Sequence, residues 1–169
     1  MSGLTSLTHI EKQAFWILEK ADFSALTSLT YIGDEAFYGL EEAAFSGLSS
    51  LTYIGHHAFY NLGEADFSGL TSLTHIGKKS FSHLKTADFS GLTSLTHIGD
   101  RAFENLKKAD FSGLAGLTHI GKKAFRSLEE AKGFSGLTSL THIGDKAFFR
   151  LKEADLKELW KLKEENSSR

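Results

Sequence analysis

Apolar residues recur mostly at every third position of this chain, a spacing that belongs to neither a regular helix nor a regular strand. The segment 103–125 shows the pattern, with apolar residues at Phe103, Leu106, Ala109, Phe111, Leu114, Leu117, Ile120, Ala124 and Phe125. An amphipathic helix repeats its apolar positions every ~3.6 residues, and a half-buried strand every two. Steps of three therefore predict a coil of short extended pieces, tight turns and single helical turns.

The whole pattern repeats with a period of 22 residues. Full copies, one of them a residue longer, occupy 23–44, 45–66, 67–88, 89–110, 111–133 and 134–155, and a partial first copy occupies 1–22. A fixed period between about 20 and 50 residues is typical of solenoids. One copy cannot bury enough apolar surface to offset the entropy of ordering it, so neighbouring copies must stabilise each other. We predict one repeat domain, residues 1–166, of about seven repeats.

The copies contain residues that favour turns and helix ends. A glycine recurs at one position of the full copies, as at Gly121, and we expect positive φ there. Several copies have an aspartate next, as at Asp100. Its side chain is suited to cap the N-terminus of the helix-favouring segment 100–110. Two segments are candidates for the strand: Leu-Thr-His-Ile at 117–120, and the extended reading of Leu-Lys-Lys-Ala-Asp-Phe at 106–111. The sequence leaves both open.

The two ends depart from the pattern and predict caps. Residues 1–22 carry Glu11 where other copies have glycine, followed by Trp16 and Ile17 at positions that are usually polar. Residues 156–166 favour a helix and include Trp160, the second of two tryptophans. We expect 1–22 and 156–166 to cover the ends of the core, and residues 167–169 to form a disordered tail.

Composition narrows the function classes. The net charge is −2 and charges of both signs are mixed, which gives no electrostatic footprint for nucleic acid or an anionic membrane. No signal peptide and no transmembrane run are visible, and the localisation stays unassigned. Cysteine, proline and valine are absent, so a disulfide framework or thiolate metal site is excluded. Copies that drift so little indicate a designed or consensus sequence, or a very recent duplication.

The two halves of each copy resemble a known family. Phe-Ser-Gly-Leu-Thr-Ser-Leu-Thr-His-Ile at 134–143 and Ile-Gly-Asp-Lys-Ala-Phe at 143–148 are similar to the two halves of the BspA-like (Treponema-type) leucine-rich repeat, and the likeness covers about residues 1–155. The resemblance implies an α/β fold, a curved leucine-rich-repeat-like solenoid with a parallel sheet on its concave face and a helical C-terminal cap. The family's Cys is Leu here, and its strand-ending Pro is missing. An all-α solenoid of short helices is the alternative.

One column of the repeat could carry metal chemistry. The same position holds His9, Tyr31, Tyr53, His75, His97, His119 and His142. In a strand these side chains would form a ladder spaced by about 4.8 Å. His75, His97, His119 and His142 are then candidates for a weak, adventitious Zn²⁺ or Ni²⁺ site. Because Tyr replaces His twice, the other interpretation is a solvated column without a ligand, and we assign no cofactor.

The remaining columns point to structure. Threonines spaced T-x-x-T cannot face the same way along a flat strand, which argues against an ice-binding face. Charged pairs such as Asp34-Glu35 and Lys78-Lys79 change sign from copy to copy and favour a role in register and solubility. No nucleophile–base set, phosphate loop or HExxH motif is present, so we predict no enzymatic activity.

Two functions of different classes remain. The first is a non-enzymatic structural scaffold of tandem repeats, of artificial or de novo designed origin. The second is a protein-binding module of the adhesion type that uses its concave face. Self-association through open repeat ends is a further expectation, because an uncovered edge strand can pair with another chain.

Overall fold

The computed structural model describes residues 4–167, which form a solenoid of parallel strands. Two-residue strands recur at the His/Tyr–Ile position: β1 (His9–Ile10), β3 (Tyr31–Ile32), β5 (Tyr53–Ile54), β6 (His75–Ile76), β8 (His97–Ile98), β10 (His119–Ile120) and β12 (His142–Ile143). Three-residue strands recur after each turn: β2 (Lys20–Asp22), β4 (Glu42–Ala44), β7 (Thr86–Asp88), β9 (Lys108–Asp110) and β11 (Glu130–Lys132). A 3-10 helix (Phe134–Gly136) and helix α1 (Glu153–Ser167) follow.

The two-residue strands form one continuous sheet of seven strands, here called the long sheet. Every pairing is parallel and in register, so that His97 lies between His75 and His119. Identical positions of successive copies therefore lie side by side, as the constant period requires.

The three-residue strands form a sheet that is split in two, here called the short sheets. Strands β11, β9 and β7 form one part, and β2 and β4 form the other. Residues 64–66 would continue the row but have no strand assignment. The sequence left two segments of the repeat as candidates for the strand. Both segments contain a strand in the structure. The solenoid fold is confirmed, and the all-α alternative is wrong.

Two columns of phenylalanine fill the space between the sheets. The first column contains Phe15, Phe37, Phe59, Phe81, Phe103, Phe125 and Phe148, whose rings stack at 5.4–5.5 Å between centroids. The second contains Phe23, Phe45, Phe67, Phe89, Phe111 and Phe134. The two columns meet edge to face, as in Phe67–Phe81 at 5.1 Å and 90°, an arrangement that aromatic quadrupoles favour. Nearly all of these rings are fully buried.

The predicted roles of the glycine and of the segment after it are wrong. Positive φ occurs two residues after the glycine, for example at Lys123 with φ 56°. Gly121 is required for another reason: a Cβ there would lie 2.6 Å from the backbone nitrogen of Asp100 in the preceding copy. The segment 100–110 is a series of turns followed by strand β9, because its backbone combines short bonds such as Leu106 to Phe103 with bonds to neighbouring copies such as Phe103 to Ala124.

The predicted N-cap is also wrong. The Asp100 carboxylate accepts a hydrogen bond of 2.8 Å from the backbone N–H of Lys122, one copy further on. Asp34 accepts an equivalent bond of 2.7 Å from His56. These aspartates therefore join copies, and they do not start a helix.

One copy absorbs an extra residue without a change in either sheet. Gly133 is the only described glycine with positive φ, at 76°. It lies between β11 and the 3-10 helix. Strand β11 still pairs with β9, and β12 still pairs with β10, in the usual register.

The ends differ in how well they cover the core. Helix α1 extends over 153–167, beyond the predicted 156–166 at both ends, and buries Leu159. Ser167 is thus helical, and the rest of the predicted tail lies outside the described residues. In the first copy Phe15, Trp16 and Ile17 are exposed. The domain boundaries stay a prediction. Across residues 4–167, no helix has both the length and the apolar character needed to cross a membrane.

Candidate functional site

The predicted His column is an ordered stack of rings on the long sheet. His75 and His97 stack at 4.5 Å between ring centroids, and His97 and His119 at 4.6 Å. The last pair, His119 and His142, opens to 5.3 Å. Tyr53 lies 6.2 Å from His75 and continues the stack toward the N-terminus. The structure therefore brings together all four residues proposed as metal ligands.

Threonines hold these rings in place. The Thr96 hydroxyl donates a hydrogen bond of 3.0 Å to the Thr74 carbonyl of the preceding copy. The same hydroxyl oxygen lies 2.8 Å from Nδ1 of His97. Since a hydroxyl has one proton and Thr96 has given it to Thr74, Nδ1 of His97 must be the donor in this contact. The unprotonated nitrogen of His97 is then Nε2.

Burial and the neighbouring rings disfavour a charge on His97 in the middle of the stack. The pKa of His97 lies below its usual range, chiefly because of burial and then because of His75 and His119 on either side. Burial likewise raises the pKa of Tyr53. Neutral His97 can stack on its neighbours without charge repulsion, so the tautomer and the stacking support one another.

This arrangement does not converge on a metal ion. A zinc site needs lone pairs that point toward one centre at about 2.0–2.1 Å. The rings of His75, His97 and His119 are within 11° of parallel, so their lone pairs run side by side. Within the part of the chain that the structure describes, no group of three or more His, Asp or Glu side chains could hold a metal ion. Weak binding by His75, His97, His119 and His142 stays a prediction.

A second surface, which the sequence reasoning missed, carries aromatic side chains, of which Trp16 is exposed and Tyr38, Tyr60 and His83 are half-buried. Trp16 lies 6.0 Å from Tyr38, Tyr38 stacks on Tyr60 at 4.8 Å, and Tyr60 meets the edge of His83 at 4.6 Å. We call Trp16, Tyr38, Tyr60 and His83 the aromatic turn surface. It lies on the turn that follows each strand of the long sheet.

The backbone of the turn fixes this surface. Residues Glu35 and His57 have positive φ, and the N–H of each donates to the carbonyl of the next copy at 2.8 Å. Nδ1 of His83 lies 2.8 Å from the Tyr60 carbonyl. Glu35, His57 and Lys79 line the same shallow groove as the aromatic rings. Burial, and next the charge of Lys79, lower the pKa of His57.

Variation between copies distinguishes this turn from the rest of the repeat. The position of Trp16 is occupied along the chain by Trp16, Tyr38, Tyr60, Ser82, Glu104, Arg126 and Phe149. By contrast, the first residue of every strand in the long sheet is His or Tyr. A column that changes chemistry in otherwise constant copies was the available sequence signal.

The charged pairs form exposed ladders along the short sheets. Lys108 lies 2.9 Å from Glu130, and Lys20 lies 3.0 Å from Glu42, in each case on the neighbouring strand. The hydrogen bond that Lys20 donates to Glu42 raises the pKa of Lys20. Side chains this exposed contribute little to stability, so the pairs suit a role in register.

The comparison with known families settles the class of repeat. The sequence profile of the BspA type leucine-rich repeat region matches six copies, over residues 8–132 and 52–159. The chain belongs to the BspA-type leucine-rich repeat family. This agrees with the parallel sheets, and it makes the array a leucine-rich-repeat scaffold.

Two solved structures are similar to parts of this BspA-type array. A leucine-rich repeat protein from Bacteroides ovatus has 21% identity and a TM-score of 0.30, with 87% of this chain and 57% of that one covered. An internalin from Listeria monocytogenes has 16% identity and a TM-score of 0.26, with 73% and 49% covered. The array thus spans about half the length of these two chains. No curated protein matches it.

Proposed function

We propose that this BspA-type array is a non-enzymatic scaffold whose repeats form one rigid, extendable unit. The observation that supports this function is the set of bonds repeated at each boundary between copies. The Thr118 hydroxyl bonds to the Thr96 carbonyl at 3.0 Å, as Thr96 bonds to Thr74 and Thr74 to Thr52. Stability in such an array is a sum over neighbouring copies.

The titrating groups also suit a scaffold. Backbone N–H groups of serine lower the pKa values of Asp22, Asp66 and Asp110. A hydrogen bond from Lys107 lowers that of Glu129. General acid catalysis needs a carboxyl group whose pKa is raised toward neutrality, and these four move in the other direction. They act as fixed anions that hold turns and neighbouring copies.

Deletion of whole and half copies tests the scaffold. Removal of 89–110 should leave a folded, shorter array, because residue 88 then joins 111 in the normal register. Removal of 89–99 should abolish cooperative unfolding, because it places strand positions opposite turn positions. Circular dichroism and urea unfolding measure both. An array that loses its fold when 89–110 is removed would contradict the proposal.

The near identity of the copies supports a designed or consensus origin, with recent duplication as the natural counterpart. The gene sequence separates them. Shared silent codons in neighbouring copies are expected after duplication, whereas unrelated codons are expected after design.

Protein binding is the second candidate, and a specific observation favours the aromatic turn surface as its location over the concave face expected from the resemblance. Tyr and Trp are enriched where proteins bind one another. Trp16, Tyr38 and Tyr60 lie in one of the two columns that vary most between copies. The long sheet is nearly constant, which suits a structural role.

Selection of peptides from a random library on the immobilised array tests this candidate. Binders should lose affinity for a Tyr38→Ser, Tyr60→Ser variant, which places the serine of Ser82 at both positions. They should keep affinity for His97→Tyr, which alters the long sheet conservatively. Peptides with the opposite preference would place the binding surface on the long sheet.

A further inference from the structure

One column of turn residues carries the same charge in four successive copies. The first residue of each charged pair changes sign between copies, as from Lys78 to Asp100. The second residue is a cation throughout the last four copies, at Lys79, Arg101, Lys123 and Lys146. Together with Arg126 on the same turn, we call these residues the basic strip: Lys79, Arg101, Lys123, Arg126 and Lys146.

The backbone of the turn holds the column in line. Lys79, Arg101 and Lys123 have φ between 55° and 56°, and the N–H of each donates to a carbonyl of the next copy at 2.9–3.0 Å. Neighbouring copies paired in this way lie about 4.8 Å apart, so four cations occupy a row about 14 Å long. The repeat thus aligns the charges as it aligns the rings of the long sheet.

The cations of the strip lie close together with little neutralisation. Across residues 4–167, Arg126 is the one member with an ion-pair partner, the Glu104 carboxylate at 3.5 Å. The pKa of Lys123 lies below its usual range, chiefly because of the charge of Arg101, then because of burial and three further cations. Like charges on adjacent strands are destabilising. The strip therefore repels itself in the free protein.

The fold does not require cations at these positions. A positive φ is adopted more readily by glycine or asparagine than by lysine or arginine. The earlier copies form the same turn with Glu35 and His57 in this column. Because neither backbone conformation nor ion pairing explains the four cations, an anionic partner is the remaining way to offset their repulsion.

The positive charge is confined to one part of the turn, although the whole chain has a net charge of −2. In the last four copies the turn contains eight basic and three acidic residues, over 78–83, 100–105, 122–127 and 145–150. In the first three copies it contains one basic and two acidic residues, over 12–17, 34–39 and 56–61. A partner that fits this distribution carries a short run of negative charge.

A short acidic segment fits better than a nucleic acid. Nucleic acids bind through cations that contact many successive phosphates. Next to Lys79 the column continues with His57 and then Glu35, so a phosphate chain that extended along the turn would meet an acidic residue. Bases also need free aromatic faces for stacking, whereas Tyr38 and Tyr60 stack on each other at 4.8 Å.

The spacing and the neighbouring rings favour a protein segment in helical form. Side chains three or four residues apart on a helix have Cβ atoms about 5–6 Å apart, close to the spacing of about 4.8 Å between copies. On an extended strand, carboxylates on one face are about 6.6–6.8 Å apart. Lys79 also lines the groove that contains Tyr38 and Tyr60, so the basic strip continues the aromatic turn surface.

We propose that the basic strip binds an acidic helical segment of a partner protein, which carries a carboxylate at every third or fourth residue along one face. This inference rests on the second candidate function, protein binding, and names the chemistry of the partner. It depends on Arg101 and Lys123, whereas the aromatic candidate depends on Tyr38 and Tyr60. The two can therefore fail separately.

A synthetic peptide tests the proposal. The probe is a fluorescein-labelled helical peptide with glutamate at every third or fourth position and alanine between, and its control has glutamine in place of glutamate. Fluorescence anisotropy should show binding of the glutamate peptide alone, and the affinity should fall as salt screens the charges. No binding at low ionic strength would overturn the proposal. Tighter binding of a single-stranded oligothymidylate of equal charge would overturn it too.

Charge reversal tests the location. Arg101→Glu with Lys123→Glu should weaken affinity for the glutamate peptide by about tenfold or more. The matched control is Lys85→Glu with Lys152→Glu, which makes the same change in net charge at exposed positions outside the turn. It should stay within about twofold of the original affinity, because salt screens distant charges. Equal losses would show that binding follows net charge alone, against the proposal.

The tyrosine variant separates the two candidates. Tyr38→Ser with Tyr60→Ser should keep its affinity for the glutamate peptide, because this peptide has no large apolar side chain. A loss in this variant would move the peptide away from the basic strip and overturn the inference. Failure of the library peptides to depend on Tyr38 and Tyr60 would contradict only the aromatic candidate.

A neutral substitution tests whether the partner or the fold needs the cation. Lys123→Asn removes one charge from the strip and introduces a residue that adopts positive φ more readily. The urea midpoint should rise while affinity for the glutamate peptide falls. A lower midpoint would show that Lys123 serves the fold, and it would overturn the proposal.

Discussion

The long sheet is unbroken through seven strands, whereas the short sheets stop between β4 and β7. Both are built from the same copies on the same core. Along the long sheet each step is supported by a threonine hydroxyl bond and by a glycine that allows close approach. Along the short sheets each step relies on backbone pairing, with ion pairs between β2 and β4 and between β9 and β11. The difference shows that periodicity alone does not guarantee a continuous sheet.

The break itself has a local cause. At Gly63 the hydrogen bond to the Glu41 carbonyl lengthens to 3.5 Å, whereas the equivalent bond from Lys107 to Lys85 is 2.9 Å. Glycine also has the largest backbone entropy to lose on ordering. The short sheets, which lack the threonine hydroxyl bonds, are therefore interrupted where one copy has a glycine at this position.

The largest expected effect tests whether both sheets share one core. Phe111 is fully buried, and its ring centroid lies 5.2 Å from that of Phe125 and 5.2 Å from that of Phe134. Phe111→Ala should lower the free energy of unfolding by about 3–5 kcal/mol through the cavity it leaves. Amide hydrogen exchange should show equal loss of protection at Ile120 of the long sheet and Ala109 of the short sheet. Loss at only one would mean that the sheets are separate units.

The next effect tests the close approach on the long sheet. Gly121→Ala forces a Cβ to within 2.6 Å of the backbone nitrogen of Asp100, and backbone cannot swing aside. We expect a loss of about 3 kcal/mol, at the upper end of the range for overpacking. Urea unfolding measures it.

The same substitution in the gap of the short sheets is the matched control. A Cβ on Gly63 would meet no atom within 4 Å. Gly63→Ala should therefore raise the free energy of unfolding by about 0.4–1 kcal/mol, because it restricts the unfolded chain. Equal destabilisation by Gly63→Ala and Gly121→Ala would remove the distinction between the sheets.

A smaller effect tests the hydroxyl support. Thr96→Val removes the bond to the Thr74 carbonyl and the partner of His97, and should cost about 0.5–1.5 kcal/mol. Thr86→Val, at an exposed position of strand β7, should leave the unfolding midpoint nearly unchanged. If both variants unfold alike, the threonine column is not what supports the long sheet.

The smallest effect concerns pH. Because the folded protein lowers the pKa of His97, the unfolded chain binds the proton more readily. The free energy of unfolding should therefore fall as pH drops through about 6.5, the ordinary value for histidine. His97→Tyr, which copies Tyr53, should weaken that dependence in urea titrations above and below this pH. An unchanged dependence would show that the stack does not sense protonation.

The sequence was sufficient for the properties that depend on period and composition. The Phe and Leu columns, the solenoid and the helix near Trp160 could all be predicted, because each follows from burial repeated in every copy. The functions of Gly121 and Asp100 could not. Their partners lie one copy away, and a reading of local propensity assigns them to the nearest turn and helix.

The candidate surfaces show the same limit. The stacking of His75 on His97 was predictable from the period, but the side-by-side lone pairs depend on ring orientation, which Thr96 sets. The sequence alone shows that Tyr38 and Tyr60 occupy a position that varies between copies. Their assembly with Trp16 depends on a turn with positive φ at Glu35, for which a charged residue gives no local signal.

The extra residue Gly133 marks a place where new sequence can be grafted. Its corner absorbs one residue while strands on both sides keep their partners. A longer loop inserted there would project from the solenoid at a fixed position along its axis. An equivalent insertion in each copy would display a row of loops, one per copy. The corner is thus a natural attachment point for cargo, independent of both sheets.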